Sequence, residues 1–200
     1  PSEQIVEAET TEKIENELNS VSDAYNLFKK VQLKQEEDLV AFKKAKFDLK
    51  KRMQILNEML NQRMHAATSM PYDKWLETHQ PFHWLAEFYQ IIKGNGGFDV
   101  IIGNPPYVTF TDASLKYNVR QYSTYNTKNL FALCGERFTS LVCNNASIGY
   151  IIPLSGMSID GFESLQKIIY SNCHSWNSYY SGDRNPSELF TGVKIRAGIY

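Results

Sequence analysis

Glycine is absent from the first 70 residues, and so is proline after Pro1. Nothing there interrupts a helix, and nothing supplies the turns of a strand-rich fold. Cysteine is scarce. Cys134, Cys143 and Cys173 are odd in number and share no short spacing, which excludes a disulfide framework or a zinc site and reads as reduced thiols in a cytoplasmic protein. No apolar run is long enough to span a bilayer and no signal peptide is present, so a soluble protein with no membrane partner is expected. Neither sign of charge dominates, with 21 Lys and Arg against 22 Asp and Glu. A globally basic nucleic-acid binder is therefore not visible, although a local patch can sit inside a balanced total. Clustered metal-ligand spacing, a Gly-x-Ser-x-Gly elbow and a Cys/His pair are all missing. The chain also lacks an initiating Met and stops inside an apolar run, 195–200, so it reads as a piece of a larger protein.

What is present divides in two. Over residues 1–70, Ile14, Leu18, Val21, Tyr25 and Phe28 recur at spacings of four and three, and Phe42, Leu49, Met53, Leu56 and Leu60 do much the same. Both stripes predict an amphipathic helix with a narrow seam. The first stretch is acidic (Glu3, Glu7, Glu9, Glu12, Glu15, Glu17) and the second basic (Lys43, Lys44, Lys46, Lys50, Lys51, Arg52). Opposite charge favours a hairpin broken near 34–38; one long helix is the alternative. The basic stretch reads as a solvated face, with phosphate contact as its functional alternative.

From 71 to 200 the pattern alternates. A short helix is predicted over 72–78, started by Pro71 and stopped by Pro81. Gly94, Asn95, Gly96 and Gly97 make a turn before a buried strand over 98–103. A polar loop with some helix spans 111–121, followed by a helix over 129–142 broken by Asn144 and Asn145. A strand over 147–152, a helix over 161–170, an aromatic-rich strand over 174–180, a polar loop over 181–186 and a last strand over 193–200 complete it. Alternating strands and helices argue a layered α/β sheet.

The segment just past the 98–103 strand carries the chemistry. Asn104-Pro105-Pro106-Tyr107 puts a side-chain carbonyl, a backbone carbonyl without its own N–H and an aromatic face at the end of a strand, where open α/β sheets bind ligands. Two acceptors side by side suit a planar ring with an exocyclic amino group. The amine of adenine is a poor nucleophile because its lone pair is delocalised into the ring. Accepting both of its N–H bonds favours a tetrahedral nitrogen and aims the lone pair at an electrophile. A methyl donor held in line then needs mostly positioning. The plain alternative is an Asn-Pro-Pro turn with Tyr107 filling the core.

The string from Gly97 to Val108, Gly-Phe-Asp-Val-Ile-Ile-Gly-Asn-Pro-Pro-Tyr-Val, resembles the catalytic motif of adenine-specific DNA methyltransferases, in particular the large single-chain type IIG restriction-modification and phage-defence enzymes of the gamma class. Pro81-Phe82-His83-Trp84 with Glu87-Phe88, Lys128-Asn129-Leu130-Phe131, Gly149-Tyr150-Ile151-Ile152-Pro153, and Pro186-Ser187-Glu188-Leu189-Phe190 with Gly192, Val193 and Arg196 are similar to further segments of that family. The resemblance covers about 71–200 and implies part of a Rossmann-like sheet that uses S-adenosylmethionine, preceded by a helical spacer over 1–70. It implies that Asn104 and Pro105 bind the target amine, that Tyr107 stacks on a flipped adenine and that Phe190 contacts the base edge. Pro106, Asn129 and Phe131 would lie toward the cofactor, with Trp84 and Glu87 as weaker members of that side. The partner would be double-stranded DNA. The family's Gly-rich cofactor motif and its ribose-binding acid are not in this chain. The resemblance therefore assigns an upstream cofactor-binding half and a downstream target-recognition domain to the rest of the protein, and the fragment alone is expected to be inactive.

Three alternatives stay open: the amine of cytosine, an amide or amine of protein glutamine or RNA, and a non-catalytic helical interaction module. His83 reads as a packed histidine. His65, His79 and His174 have no role. Trp176, Tyr179 and Tyr180 read as strand core, Asp183 and Arg184 as a surface pair, and Arg196 as either a phosphate contact or the partner of an acid.

Overall fold

The computed structural model describes residues 2–33, 38–115, 117–172, 174, 178–179 and 197–200, with backbone alone at 2–8 and 178–179. The chain forms two compact units, Pro1–Asn95 and Gly96–Tyr200.

In the first unit, α1 (Ser2–Gln32) and α2 (Leu39–His65) pack against each other, so the hairpin forms rather than one long helix. Ile14, Val21 and Leu56 are buried along the seam, with Leu18, Leu49, Met53 and Leu60 packed on them. These are stripe residues, which three-and-four spacing places on one face of each helix. Asp38 starts α2, its Oδ1 accepting from Ala41 N at 2.9 Å, an N-cap worth about 1 kcal/mol. Glu17 and Arg52 pair across the seam at 3.3 Å. That pair is half-exposed on the arginine side and contributes no more than about 1 kcal/mol. Lys43, Lys44, Lys46, Lys50 and Lys51 are exposed.

Pro71 precedes α3 (Tyr72–His79), whose Trp75 is buried between the rings of Tyr72 and His79. A short α4 (Trp84–Glu87) and a single π-helical turn (Gln90–Gly94) finish the unit. Ala86 lies in the hairpin core and Tyr89 packs against it. Residues 71–95 thus belong with the helices, and the chain divides at 95/96 where its composition changes at 70/71.

The second unit is a mixed sheet with helices. β1 (Phe98–Gly103) runs parallel to β2 (Val142–Pro153); β2 is antiparallel to β4 (Ala197–Ile199), and β4 to β3 (Ser178–Tyr179), giving the order β1-β2-β4-β3. Around it stand α5 (Leu130–Thr139), α6 (Ser155–Ser158) and α7 (Glu163–Asn172), with 3-10 turns at Ser123–Thr127 and Asp160–Phe162. The core joins Phe131 and Ala132 of α5, Tyr150 and Ile152 of β2, Phe162, and Leu165 and Ile169 of α7. Strand and helix mix as the α/β class requires.

Three expectations change in detail. β1 is not buried on both faces: Val100 is 59% and Ile102 80% exposed. A continuous apolar run signals a strand covered on both sides, but β1 is an edge of the described sheet and only one of its faces is packed. The helix predicted over 129–142 ends at Thr139. The Asn pair lies instead inside β2, where the register jumps from Phe98↔Val142 to Val100↔Ser147. Asn145 takes φ 64° in that irregular stretch, a conformation Asn tolerates better than most residues. Of the strands predicted over 174–180 and 193–200, Ser178–Tyr179 and Ala197–Ile199 are seen; Trp176, Tyr180, Asp183, Arg184, Phe190 and Arg196 lie outside the described residues. Among the described residues no helix is long and apolar enough to cross a membrane.

Candidate functional site

The sheet places Asn104 one residue beyond the C-terminal end of β1. The position of β1 is set by close backbone contact. Gly97 adopts φ +136°, and a Cβ there would stand 2.4 Å from the Val142 carbonyl carbon. Phe98 N donates to Leu141 O at 2.9 Å. Only glycine lets the strand begin this close to the turn that follows α5.

Past the strand the four motif residues divide by environment. Asn104 and Pro106 are exposed, Pro105 is buried and Tyr107 is half-buried. Neither the Asn104 amide nor the Pro105 carbonyl hydrogen-bonds to any described residue. Tyr107 is committed: its hydroxyl donates to the Ile151 carbonyl of β2 at 3.0 Å, and its ring meets Phe131 edge-on at 6.4 Å. Burial pushes the phenol pKa above its ordinary value, which keeps the hydroxyl a donor. A ring tethered at its far end holds its orientation.

The other expected site residues lie deeper. Asn129 is buried and caps α5, its Oδ1 accepting from Phe131 N at 3.3 Å. Phe131 is 1% exposed and stacks on Phe162 at 5.0 Å. The Asn129 side-chain oxygen and the Phe131 ring are used in holding α5 onto the core. Trp84 and Glu87 lie in the first unit, where Trp84 stacks on Phe88 at 5.6 Å and Glu87 accepts from Asn57 Nδ2 at 3.0 Å. His83 Nε2 donates to Asn61 Oδ1 at 2.7 Å, and burial lowers its pKa despite Glu87 nearby.

The polar loop expected over 111–121 is part of a longer one that runs from Val108 to Leu130, and the side chains that order it were not foreseen. Its neck is closed by Leu130 N to Val108 O at 2.9 Å and Phe110 N to Lys128 O at 2.8 Å, with Thr109 opposite Asn129. Inside it, Glu136 of α5 accepts from Ser123 N (3.0 Å), Thr124 N (2.8 Å) and Thr124 Oγ1 (2.8 Å). Asp112 gathers Tyr125, Lys128 and Arg120. Glu136 stands out as the one acid on α5, a mainly apolar helix, a signal that a polar partner was needed; Asp112 offered none.

Asn104 is thus exposed just past the end of β1, and Tyr107, three residues on, is held by its hydroxyl. The chain belongs to the Eco57I restriction-modification methylase family, whose model matches residues 3–185. A protein of Methanocaldococcus jannaschii, named as a candidate type II restriction enzyme and methyltransferase, is 30% identical over 139 residues. The match covers 70% of this chain and 11% of that much longer relative.

Proposed function

We propose that this chain carries the catalytic turn of a site-specific DNA methyltransferase. The reaction moves a methyl group from S-adenosylmethionine to the exocyclic N6 amine of an adenine turned out of duplex DNA, in a cytoplasmic restriction-modification or phage-defence system. The observation that carries the reading is an exposed Asn104 one residue past the end of β1, with Tyr107 three residues on tethered by its hydroxyl to Ile151. Family membership and the name of the relative support methylation as the chemistry.

Asn104 and Pro105 take both amine hydrogens. As the nitrogen attacks, positive charge grows on it, and two preorganised carbonyl dipoles stabilise that charge without reorganising. Tyr107 offers its ring to the base, and stacking of this kind contributes about 1–3 kcal/mol. That offsets much of the few kcal/mol that unstacking a base costs. S-adenosylmethionine, when bound, supplies the methyl group. Of the three residues expected on its side, Pro106 is exposed, whereas Asn129 caps α5 with its side-chain oxygen and Phe131 is buried in the core.

The test is methyl incorporation into DNA by the full-length protein, with nucleoside analysis of the product. Asn104→Ala is expected to lower turnover by about 10²-fold or more while DNA binding persists. Methylation at the wild-type rate would refute the role of Asn104. Methylcytosine in the product would keep the mechanism and change the base.

A further inference from the structure

Arg120 and Lys128 converge on a single carboxylate in the loop that leaves the motif. Lys128 Nζ donates to Asp112 Oδ1 at 2.9 Å, Arg120 Nη2 donates to Oδ2 at 3.0 Å, and the Tyr125 hydroxyl donates to Oδ1 at 2.6 Å. The Tyr125 hydrogen bond, with those of Lys128 and Arg120, holds the Asp112 carboxyl well below the usual range. Two cations against one carboxylate leave this cluster positive. Lys128 is fixed from three directions: its carbonyl binds Phe110 N, its backbone takes φ 51°, and its ammonium stands 3.5 Å from the centre of the Tyr125 ring. Both cations still face solvent, the arginine side chain at 70% and the lysine at 40% exposure. Arg120 also lines an open recess of about 320 Å³ with Asp112, Tyr117, Asn118 and Tyr125.

We propose that Arg120 and Lys128, pre-ordered by Asp112, form a clamp for a backbone phosphate of the DNA strand that carries the extruded base. The inference rests on the DNA reading above. An ordinary surface ion pair needs one cation and gains little from order. Here one acid aligns two cations and a phenol, and Arg120 has five N–H donors of which the acid engages only part. A phosphate offers oxygens enough to take donors from both cations. The neck places the clamp beside the motif: Phe110, bonded to Lys128, is three residues past Tyr107, at most about 11 Å of extended chain. A strand whose base lies against Tyr107 carries its flanking phosphates within a comparable distance.

The experiment uses the full-length protein and a duplex that it methylates, with affinity measured over a salt series. Arg120→Gln and Lys128→Gln are each expected to reduce the slope of log K against log salt by about 0.9. Each should raise KM for DNA more than it lowers kcat. Arg120→Lys should restore most of the slope, and Asp112→Asn, which keeps both cations, should not reduce it. Wild-type slopes in Arg120→Gln and Lys128→Gln would overturn the clamp, as would a fall in kcat with slope and KM unmoved, the mark of a purely structural latch. Failure of the wild-type protein to bind or methylate DNA would end the functional reading and the clamp together. Wild-type methylation with unaltered slopes in the variants would end the clamp alone.

Discussion

Asn104 and Tyr107 stand three residues apart and are held in opposite ways. Asn104 is exposed, whereas the Tyr107 phenol is tied to Ile151. Both could be named as candidates from sequence because a turn keeps sequence neighbours adjacent in space. Glu136 could not, since its partners Ser123 and Thr124 come from a loop whose path no local pattern gives. Removing that carboxylate strands three donors around a fully buried Thr124. Glu136→Ala is expected to cost about 1–3 kcal/mol, read as a lowered urea midpoint. Glu136→Gln, which keeps one acceptor, should cost less. His83 gives a pH signature. Burial depresses its pKa in the folded chain, so below the ordinary value near 6.5 the unfolded chain binds a proton that the folded chain resists. Stability is thus full above about pH 6.5 and falls as pH drops toward the folded value. His83→Gln should flatten that part of the urea-unfolding profile; an unchanged profile would assign the decline to other groups.

At the scale of elements, the periodicities of the helices translated directly into packing. The stripe residue Leu56 is fully buried in the hairpin seam, and Leu56→Ala is expected to cost about 2–5 kcal/mol, measured by thermal unfolding. Boundaries were less legible. An Asn-Asn pair reads as a helix stop, yet here it shapes an irregular segment within β2, because pairing with β1 draws residues from 142 onward into the sheet. That pairing is long-range and leaves no trace in a local window. Gly97 marks the other side of the same junction. Its positive φ and its backbone contact with Val142 leave no room for a side chain. Gly97→Ala should destabilise the protein by about 3 kcal/mol and lower methyl transfer with it. A variant of wild-type stability would show that the strand can start elsewhere.

Across the whole molecule, composition and packing divide the chain at different places. Glycine and proline return near residue 70, but Ala86 and Tyr89 still belong to the hairpin core, and the second unit begins at Gly96. A composition shift records where helix-compatible sequence ends, while a unit boundary records where contacts end, and contacts made by a few apolar residues are invisible to composition. The order of the sheet adds a hazard of handling. β1 lies at its rim, with one side of its backbone unmatched among the described residues and Val100 and Ile102 bare. A strand so placed is a template for edge-on self-association. In concentrated solutions of this polypeptide, light scattering is expected to grow with concentration, and the double change Val100→Lys with Ile102→Lys to suppress it. Equal scattering from both proteins would send the stickiness to another surface. The six-residue ribbon where such association would start ends one residue short of Asn104.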